Sequence, residues 1–163
     1  MEQDERGIFP ASRLPIKNVD ALDLHLIVTH YGYPYTVPVS HVYQDGKIFF
    51  HGIKTGHKID AIRSNDKVSF CVVAQDEVIP RKRTTAFISV IAFGRARIIE
   101  DEAGLWRIAT LIGKKFAESD PIDCQLEIDR VVAVGRMLCV EITIEHLTGK
   151  CGQEVLLQRK LQN

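Results

Sequence analysis

The sequence predicts a mainly β protein: an antiparallel barrel of six strands with two or more inserted helices. Three observations support this fold class. Apolar and polar side chains alternate with a period of two in several segments. Asp45-Gly46, a strong hairpin signal, lies between two of these segments. The segments do not alternate regularly with long helices, as a doubly wound parallel sheet would require. We therefore expect one domain, residues 1–163, whose residues 1–20 form an arm with little regular structure.

The strands follow from the alternation. The first has one apolar face, made of Leu22, Leu24, Leu26 and Val28. The second, at 35–43, and the third, at 47–51, flank the hairpin turn, and the others lie at 67–74, 85–100 and 131–146. In the strand at 85–100 the apolar face consists mostly of small side chains around Gly94, which suits a strand that coils around a barrel.

Two helices interrupt the strands. A short one is predicted at 58–64, and a longer one at 101–117. The apolar stripe of the longer helix is made of Leu105, Ile108, Ala109, Ile112 and Phe116. Trp106 falls outside this stripe, so we expect it to be exposed and available for a contact with a ligand or a second subunit.

The composition excludes several classes of partner. The chain has 21 Lys and Arg residues and 21 Asp and Glu residues, so its charge gives no general attraction to nucleic acid or to an anionic membrane. No apolar run reaches the length of a membrane span, and the N-terminus does not resemble a signal peptide. The four cysteines fit no zinc spacing and no C-x-x-C motif, and we expect reduced thiols in a cytoplasmic protein. They are Cys71, Cys124, Cys139 and Cys151.

The segment from Phe50 to Ile62 is the most informative for function. Gly52 and Gly56 bracket a turn, and Thr55 is suited to the N-cap of the helix that follows. Free N–H groups at a helix start, together with a hydroxyl and Lys58, would make a phosphate cradle. An ordinary capped helix with a solvated lysine explains the same pattern. Neither a Walker A motif nor a dinucleotide fingerprint is present.

Other features are less specific. Pro38 cannot donate to a ladder, so its strand is an edge or is bulged there; this exposes backbone groups to a ligand or protects against aggregation. The six histidines do not form a metal site, because their spacings do not pair them and no carboxylate completes a set. Among them His51 is the best placed for ligand contact, and His41 is a weaker candidate. No Gly-x-Ser-x-Gly elbow supports a hydrolase, and the basic run 81–83 is typical of a solvated loop.

Taken together, these motifs resemble a known family. The pattern consists of Gly-Tyr-Pro-Tyr-Thr-Val-Pro-Val at 32–39, Asp-Gly-Lys-Ile-Phe-Phe-His-Gly at 45–52, Gly-His-Lys-Ile-Asp-Ala-Ile at 56–62, Asn-Asp-Lys-Val-Ser-Phe at 65–70 and Ser-Val-Ile-Ala-Phe-Gly-Arg-Ala at 89–96. It is similar to the pyridoxamine 5′-phosphate oxidase-related split-barrel flavoproteins, and among them to the nitroimidazole-resistance group. The resemblance covers about residues 22–150. The N-terminal arm departs from it, because Phe9 to Pro15 replaces the basic stretch usual in that group.

The resemblance implies a six-stranded split β-barrel with Greek key topology that forms a homodimer, with FMN held between the subunits. By position, Val37, Pro38 and Val39 would line the flavin ring, as would Ser89 and Val90 on the long strand. His51 and Gly52 would lie near the ring and the ribityl chain. Thr55, Gly56, His57 and Lys58 would surround the phosphate. The expected exposure of Phe87, Phe93 and Trp106 agrees with a dimer interface.

The implied activity is transfer of reducing equivalents from NAD(P)H to a small molecule, with nitroimidazole reduction as the named example and His51 as the candidate proton donor. FMN would supply the redox chemistry, so no catalytic triad is needed. Pyridoxamine phosphate oxidation fits less well, because that enzyme's basic strand motif is missing. The alternatives are a non-catalytic protein that binds flavin or haem, with His41 or His51 as the axial ligand, and a ligand-free interaction module.

Overall fold

The computed structural model describes residues 8–9, 24–116 and 121–155. In this part of the chain, eight strands form one antiparallel sheet: Ile8–Phe9 (β1), Leu24–His30 (β2), Tyr33–Pro38 (β3), Val42–Gln44 (β4), Lys47–Ile53 (β5), Lys67–Ile79 (β6), Thr84–Ile99 (β7) and Met137–Cys151 (β8). The helices are His57–Ser64 (α1), Glu102–Phe116 (α2) and Pro121–Ala133 (α3), with a 3₁₀ turn at Pro80–Lys82. Within the described residues, no helix combines the length and hydropathy needed to cross a bilayer.

The strand order is β3-β2-β6-β7-β8-β5-β4, and β1 pairs with the distal part of β8. The two ends of this path, β3 and β4, are consecutive in the chain, but no ladder joins them among the described residues, so hydrogen bonds do not close the sheet. The register shifts once between β6 and β7, and once between β7 and β8 beside Gly94. Such bulges increase the local twist and bend long strands.

The sheet separates two large hydrophobic cores, and a third, smaller cluster contains Ala86, Ile88, Cys151 and Val155. The inner core packs α1 against residues of β2, β5, β6, β7 and β8, and includes Phe50 and Phe70, both fully buried. The outer core packs α2 and α3 against the other face, where Phe49 and Cys139 lie. Because both faces of β8 are covered, residues 138–142 are all buried even though they alternate between apolar and other side chains. Consecutive residues of β5 therefore point into different cores.

The predicted hairpin turn at Asp45-Gly46 is confirmed, and the structure has a second turn of the same kind. Asp45 and Gly46 connect β4 to β5 with φ angles of 50° and 79°. These positive φ angles are those of a type I′ turn, whose twist matches that of the flanking strands. Tyr31 and Gly32 connect β2 to β3 in the same way. Pro38 ends β3, which has a ladder on one side only among the described residues, so the predicted edge strand is also confirmed.

The count of six strands is wrong because one predicted strand is divided and the arm contributes another; a third difference is the start of the last strand. The predicted strand at 35–43 is divided, because Pro38 ends β3 and the chain re-enters the sheet only at Val42. The predicted strand at 131–146 begins only at Met137, because its first residues belong to α3, a helix that the alternation did not reveal. The arm also contributes β1, and the rest of residues 1–20 lies outside the described part. The helices predicted at 58–64 and 101–117 correspond to α1 and α2.

The predicted faces hold where the structure describes them. Leu26 and Val28 are buried, as are Ile88, Val90, Ala92 and Ala96 on β7. Leu22 and the side chain of Leu24 lie outside the described part. The expectation that Trp106 is exposed is wrong: its side chain is half-buried and packs against the outer core.

Candidate functional site

The turn between β5 and α1 is built around Gly56. Gly56 is the N-cap of α1, with φ 114° and ψ 160°, a conformation that side chains disfavour. The predicted N-cap, Thr55, is therefore wrong, and no side chain caps the helix. The carbonyl oxygen of Gly56 accepts hydrogen bonds from the N–H groups of Ile59 (2.9 Å) and Asp60 (3.1 Å). The amides of a first helical turn have no acceptor within the helix, and they give this end a positive potential.

Lys58 adds a cation at this helix end. Its Cε and Nζ atoms lie 3.4 Å and 3.6 Å from the position that a β-carbon on Gly52 would take, so the side chain folds back over the end of β5. Nζ also lies 5.8 Å from the centre of the Phe50 ring. Partial burial lowers the pKa of Lys58. Among the described residues, no Asp or Glu lies within ion-pair distance of it. A half-buried cation without a counter-ion favours binding of an anion.

The contact between His57 and Tyr35 places the edge strand β3 beside the start of α1. Their ring centres are 6.2 Å apart and the rings are inclined by 41°. Tyr35 belongs to β3, so α1 meets the strand that carries Val37 and Pro38. Sequence reasoning did not single out Tyr35, although it lies within the motif at 32–39 on which the resemblance depends. The start of α1 is thus bordered by β3 on one side and by β5 on the other.

The three predicted flavin contacts on and after β3 have different surroundings. Pro38 is exposed, Val37 is half-buried against the inner core, and Val39 is 8% exposed within that core. The side chain of Pro38 is therefore open to a ligand on the surface, and that of Val37 is partly accessible. Val39 could contact a ligand only through its backbone.

His51 lies on the other face of β5 from Lys58. Residues alternate along a strand, so His51 projects with Phe49 toward the outer core, whereas Lys58 lies against Gly52 and Phe50 on the inner side. Desolvation lowers the pKa of His51, and the positive charge of Lys58 lowers it further. The side chain is exposed to solvent, and the lowered pKa favours the neutral imidazole. The backbone at Gly52 separates the histidine from the lysine.

A pocket of about 560 Å³ opens beside His51. Its walls come from the end of β5, the last turns of α3 and the start of β8. The lining residues are His51, Gly52, Ile53, Arg130, Val131, Val134, Arg136 and Met137. Sequence reasoning missed the five residues from Arg130 onward, because it assigned residues from 131 to a strand. Gly135, which follows the end of α3 with a positive φ of 68°, was the residue in the sequence that could have indicated a helix end here.

Ser89 and Val90 lie farther from this group in the sheet. They belong to β7, and β8 separates β7 from β5. Ser89 is half-buried, whereas Val90 is 1% exposed and packs in the inner core. The structure thus brings together Gly52, Gly56, His57 and Lys58, with His51 across the strand, but it does not bring Ser89 and Val90 beside them.

His41, the weaker ligand candidate, is buried. Its side chain is 3% exposed, and its ring centre lies 5.5 Å from that of Phe70 in the inner core. Desolvation lowers its pKa to about 3, with a further contribution from the charge of Lys115. Nζ of Lys115 donates a hydrogen bond to the carbonyl oxygen of His41, at 3.3 Å. His41 is therefore a neutral core residue. Among the described residues, no cluster of three or more His, Cys, Asp or Glu side chains could hold a metal ion.

Comparison with known proteins gives one family match. The family model for pyridoxamine 5′-phosphate oxidase matches residues 20–151, about four-fifths of the chain. No curated protein matches.

Several solved structures share the fold at low sequence identity. A candidate 5-nitroimidazole antibiotic resistance protein from Bacteroides thetaiotaomicron is 18% identical, with a TM-score of 0.68 over 88% of this chain and 87% of that one. An FAD-binding protein from Mesorhizobium loti is 20% identical, with a TM-score of 0.62 over 87% and 94%. An FAD- and haem-binding protein from Mycobacterium smegmatis is 16% identical, with a TM-score of 0.66 over 93% and 80%. At these identities the likeness shows the fold alone.

Proposed function

This chain belongs to the pyridoxamine 5′-phosphate oxidase family, and on that premise we propose that it is an FMN-binding flavoprotein that transfers reducing equivalents from NAD(P)H to a small molecule. Nitroaromatic compounds such as nitroimidazoles are the acceptor class we favour. We further propose that the open sheet is a split barrel, and that two copies in the cytoplasm form a homodimer with the flavin at their interface. Flavin binding agrees with two proteins that share the fold, the FAD-binding protein and the FAD- and haem-binding protein.

The observation that carries the proposal is the placement of Lys58. It is a half-buried cation without a described counter-ion, at the start of α1, held over a glycine that leaves room for its side chain. A phosphate group satisfies all of these features at once, because it supplies the missing negative charge and accepts hydrogen bonds from the first helical turn. An ordinary solvated lysine would point into water and would retain its usual pKa.

The other residues are proposed to bind the cofactor around this point. Thr55, Gly56 and His57 complete the phosphate site, since the exposed hydroxyl and the glycine leave the approach open. Val37, Pro38 and Val39 border the ring with Gly52 and His51. Ser89 and Val90 are the least supported members, because β8 lies between their strand and β5. FMN, when bound, supplies the electron transfer, and the protein supplies orientation and electrostatics.

His51 is proposed to donate a proton to the reduced acceptor. Its lowered pKa makes the imidazolium scarce at pH 7, so a step that uses this proton accelerates as the pH falls toward the pKa. The phosphate anion next to Lys58 would offset the positive charge that contributes to this lowering.

The proposed dimer has some support in exposed apolar side chains. Phe93 is 43% exposed, and Tyr31 and Tyr33 at the β2–β3 turn are 84% and 75% exposed. Phe87 and Trp106 are only half-buried. Large exposed aromatic groups are typical of subunit interfaces.

The test is direct. The purified protein is examined by visible absorption, then denatured, and the released ligand is identified by chromatography. We expect FMN, and we expect Lys58→Met to raise the dissociation constant for FMN by about tenfold or more, the loss of one charge-assisted contact. Lys67→Met removes an exposed lysine elsewhere and should leave FMN affinity unchanged. A colourless protein that takes up no added FMN contradicts the proposal.

The same preparation tests the alternative of a non-catalytic flavin or haem carrier. Bound cofactor without any NAD(P)H-dependent turnover across a panel of nitroaromatic acceptors would favour it. If haem is released, His51 is the histidine to examine, because His41 is enclosed in the inner core.

A further inference from the structure

The pocket beside His51 has an apolar lining that is unusually exposed. Ile53 is 63% exposed, Val131 is 44% exposed and Val134 is 65% exposed. Met137, buried at the base of the pocket, adds a fourth apolar surface. Concave apolar surfaces of a few hundred Å³ with a few polar groups are typical of small-molecule sites. The pocket volume of about 560 Å³ falls within that range.

Two arginines are the charged groups of this pocket. Arg130 lies in the last turn of α3, and Arg136 lies between α3 and β8. Among the described residues, neither has a carboxylate within ion-pair distance. The pocket therefore presents two positive charges and no negative one on its lining. Arginine is suited to carboxylate recognition, because its planar guanidinium can donate two parallel hydrogen bonds.

The backbone that carries the arginines is fixed in place. The carbonyl oxygen of Arg136 accepts a hydrogen bond from the N–H of Lys54, at 3.1 Å, which ties it to the turn before α1. The carbonyl oxygen of Arg130 accepts one from the N–H of Val134, at 3.0 Å, at the end of α3.

We propose that this pocket is the acceptor site and that it selects small aromatic or otherwise apolar molecules carrying a carboxylate. The ring would lie against Ile53, Val131 and Val134, and Arg130 and Arg136 would bind the carboxylate. His51, at the edge of the pocket, would then lie beside the group to be reduced. The assignment of the occupant as an electron acceptor rests on the proposed function, whereas the preference for an anion rests on the pocket alone.

The probes are 4-nitrobenzoate and its uncharged analogue 4-nitrobenzamide, which have almost the same shape. Their dissociation constants are measured by calorimetry on the protein as purified and after FMN loading. We expect 4-nitrobenzoate to bind about tenfold more tightly, the effect of one charge-assisted contact. The double variant Arg130→Gln/Arg136→Gln should lose this preference and keep its affinity for the amide. Arg81→Gln, which removes an exposed arginine from the 3₁₀ turn, should behave as the parent protein.

The outcomes separate the two proposals. Equal affinity for both probes, or a preference that survives the double variant, would overturn the pocket assignment even in a protein that contains FMN. A protein that never binds FMN but prefers 4-nitrobenzoate through the two arginines would contradict the proposed function and retain the anion pocket. Displacement of FMN by 4-nitrobenzoate would also overturn the assignment, because it would show that the flavin itself occupies the pocket.

Discussion

Lys58 and Gly52 form the contact that connects α1 to the end of β5: Cε of the lysine lies 3.4 Å from the place where a β-carbon on Gly52 would stand. An alanine there makes an ordinary van der Waals contact, whereas a branched side chain displaces the lysine. We therefore expect Gly52→Ala to bind FMN as the parent does and Gly52→Val to bind it about tenfold more weakly. Valine suits a strand, so a loss of folding is not expected. Fluorescence titration with FMN measures the difference.

A double variant provides the control for the Gly52 substitutions. Gly52→Val and Lys58→Met act on the same contact, so the double variant should be little worse than either single variant. Additive losses in FMN affinity would mean that Gly52 acts on the cofactor independently of the lysine.

Glu141 holds three cations on the outer face of the sheet. It is 4% exposed and lies 2.9 Å from Nζ of Lys47, 3.2 Å from Arg97 and 3.5 Å from Arg107. Desolvation alone would raise the pKa of Glu141, but the hydrogen bonds from Lys47 and Arg97 lower it overall. We expect Glu141→Gln to reduce the free energy of unfolding by about 1–3 kcal/mol, because it removes the charge that these bonds require.

Glu145 is the matched control on the same strand. Its carboxylate pairs with Arg95 at 3.0 Å, but both side chains are about half exposed to solvent. Exposed ion pairs contribute little, so Glu145→Gln should cost about 0.5 kcal/mol in urea denaturation. Equal losses for the two variants would show that burial of Glu141 does not determine its contribution.

The stability of the protein should depend on pH through His41. Burial lowers its pKa from 6.5 to about 3 in the folded protein. The stabilisation that comes from keeping His41 neutral is therefore fully present above pH 6.5. It is lost as the pH falls toward the pKa of His41 in the folded protein, because in this range only the unfolded chain takes up the proton. The slope approaches about 1.4 kcal/mol per pH unit.

The measurement compares urea denaturation at about pH 7.5, 6 and 5 for the parent and for His41→Gln. The parent should lose stability more steeply than the variant over this interval. Ser40→Ala, a change at an exposed neighbour that leaves His41 in place, should keep the slope of the parent. Parallel curves for the parent and His41→Gln would contradict the prediction.

Gly94 marks the bulge between β7 and β8. A β-carbon at this position would overlap the carbonyl oxygen of Thr143, which is backbone and cannot rotate away. We expect Gly94→Ala to destabilise the protein by about 2–4 kcal/mol, the cost of shifting a packed strand. Thermal unfolding measures it, with Thr84→Ala, a change at an exposed position of the same strand, as the control. Similar melting temperatures for Gly94→Ala and the parent would show that β8 can move.

The sequence was most informative where local chemistry determines the backbone. Asp45-Gly46 specified a turn that few other residues could form, and Pro38 specified an edge, because a proline has no N–H to donate. The apolar face of small side chains on β7 was also predictable, because a period-two alternation in the sequence indicates a strand with one buried face.

Tertiary contacts determined what the sequence did not reveal. Residues 138–142 are buried on both faces, because α2 and α3 cover the outer side of the sheet. Alternation in the sequence did not show this burial, and it did not show that β8 begins only at Met137. The opposite orientation of His51 and Lys58 also depends on the position of α1 relative to β5. The arginine pair was missed with α3, since its importance depends on a pocket formed by elements distant in sequence.

The two-residue loop at 45–46 has a consequence for comparing or redesigning members of this family. Loop lengths usually vary freely, because loops lie on the surface. Here the hairpin sets the register of the short edge strand β4 against β5, whose seven residues are also paired with β8, so a shift by one residue would exchange the faces to which the side chains of β4 point. An insertion in this loop therefore changes β4 and the segment that connects it to Pro38 and Val39, two of the proposed flavin contacts. Sequences that differ in length here should not be assumed to share their chemistry.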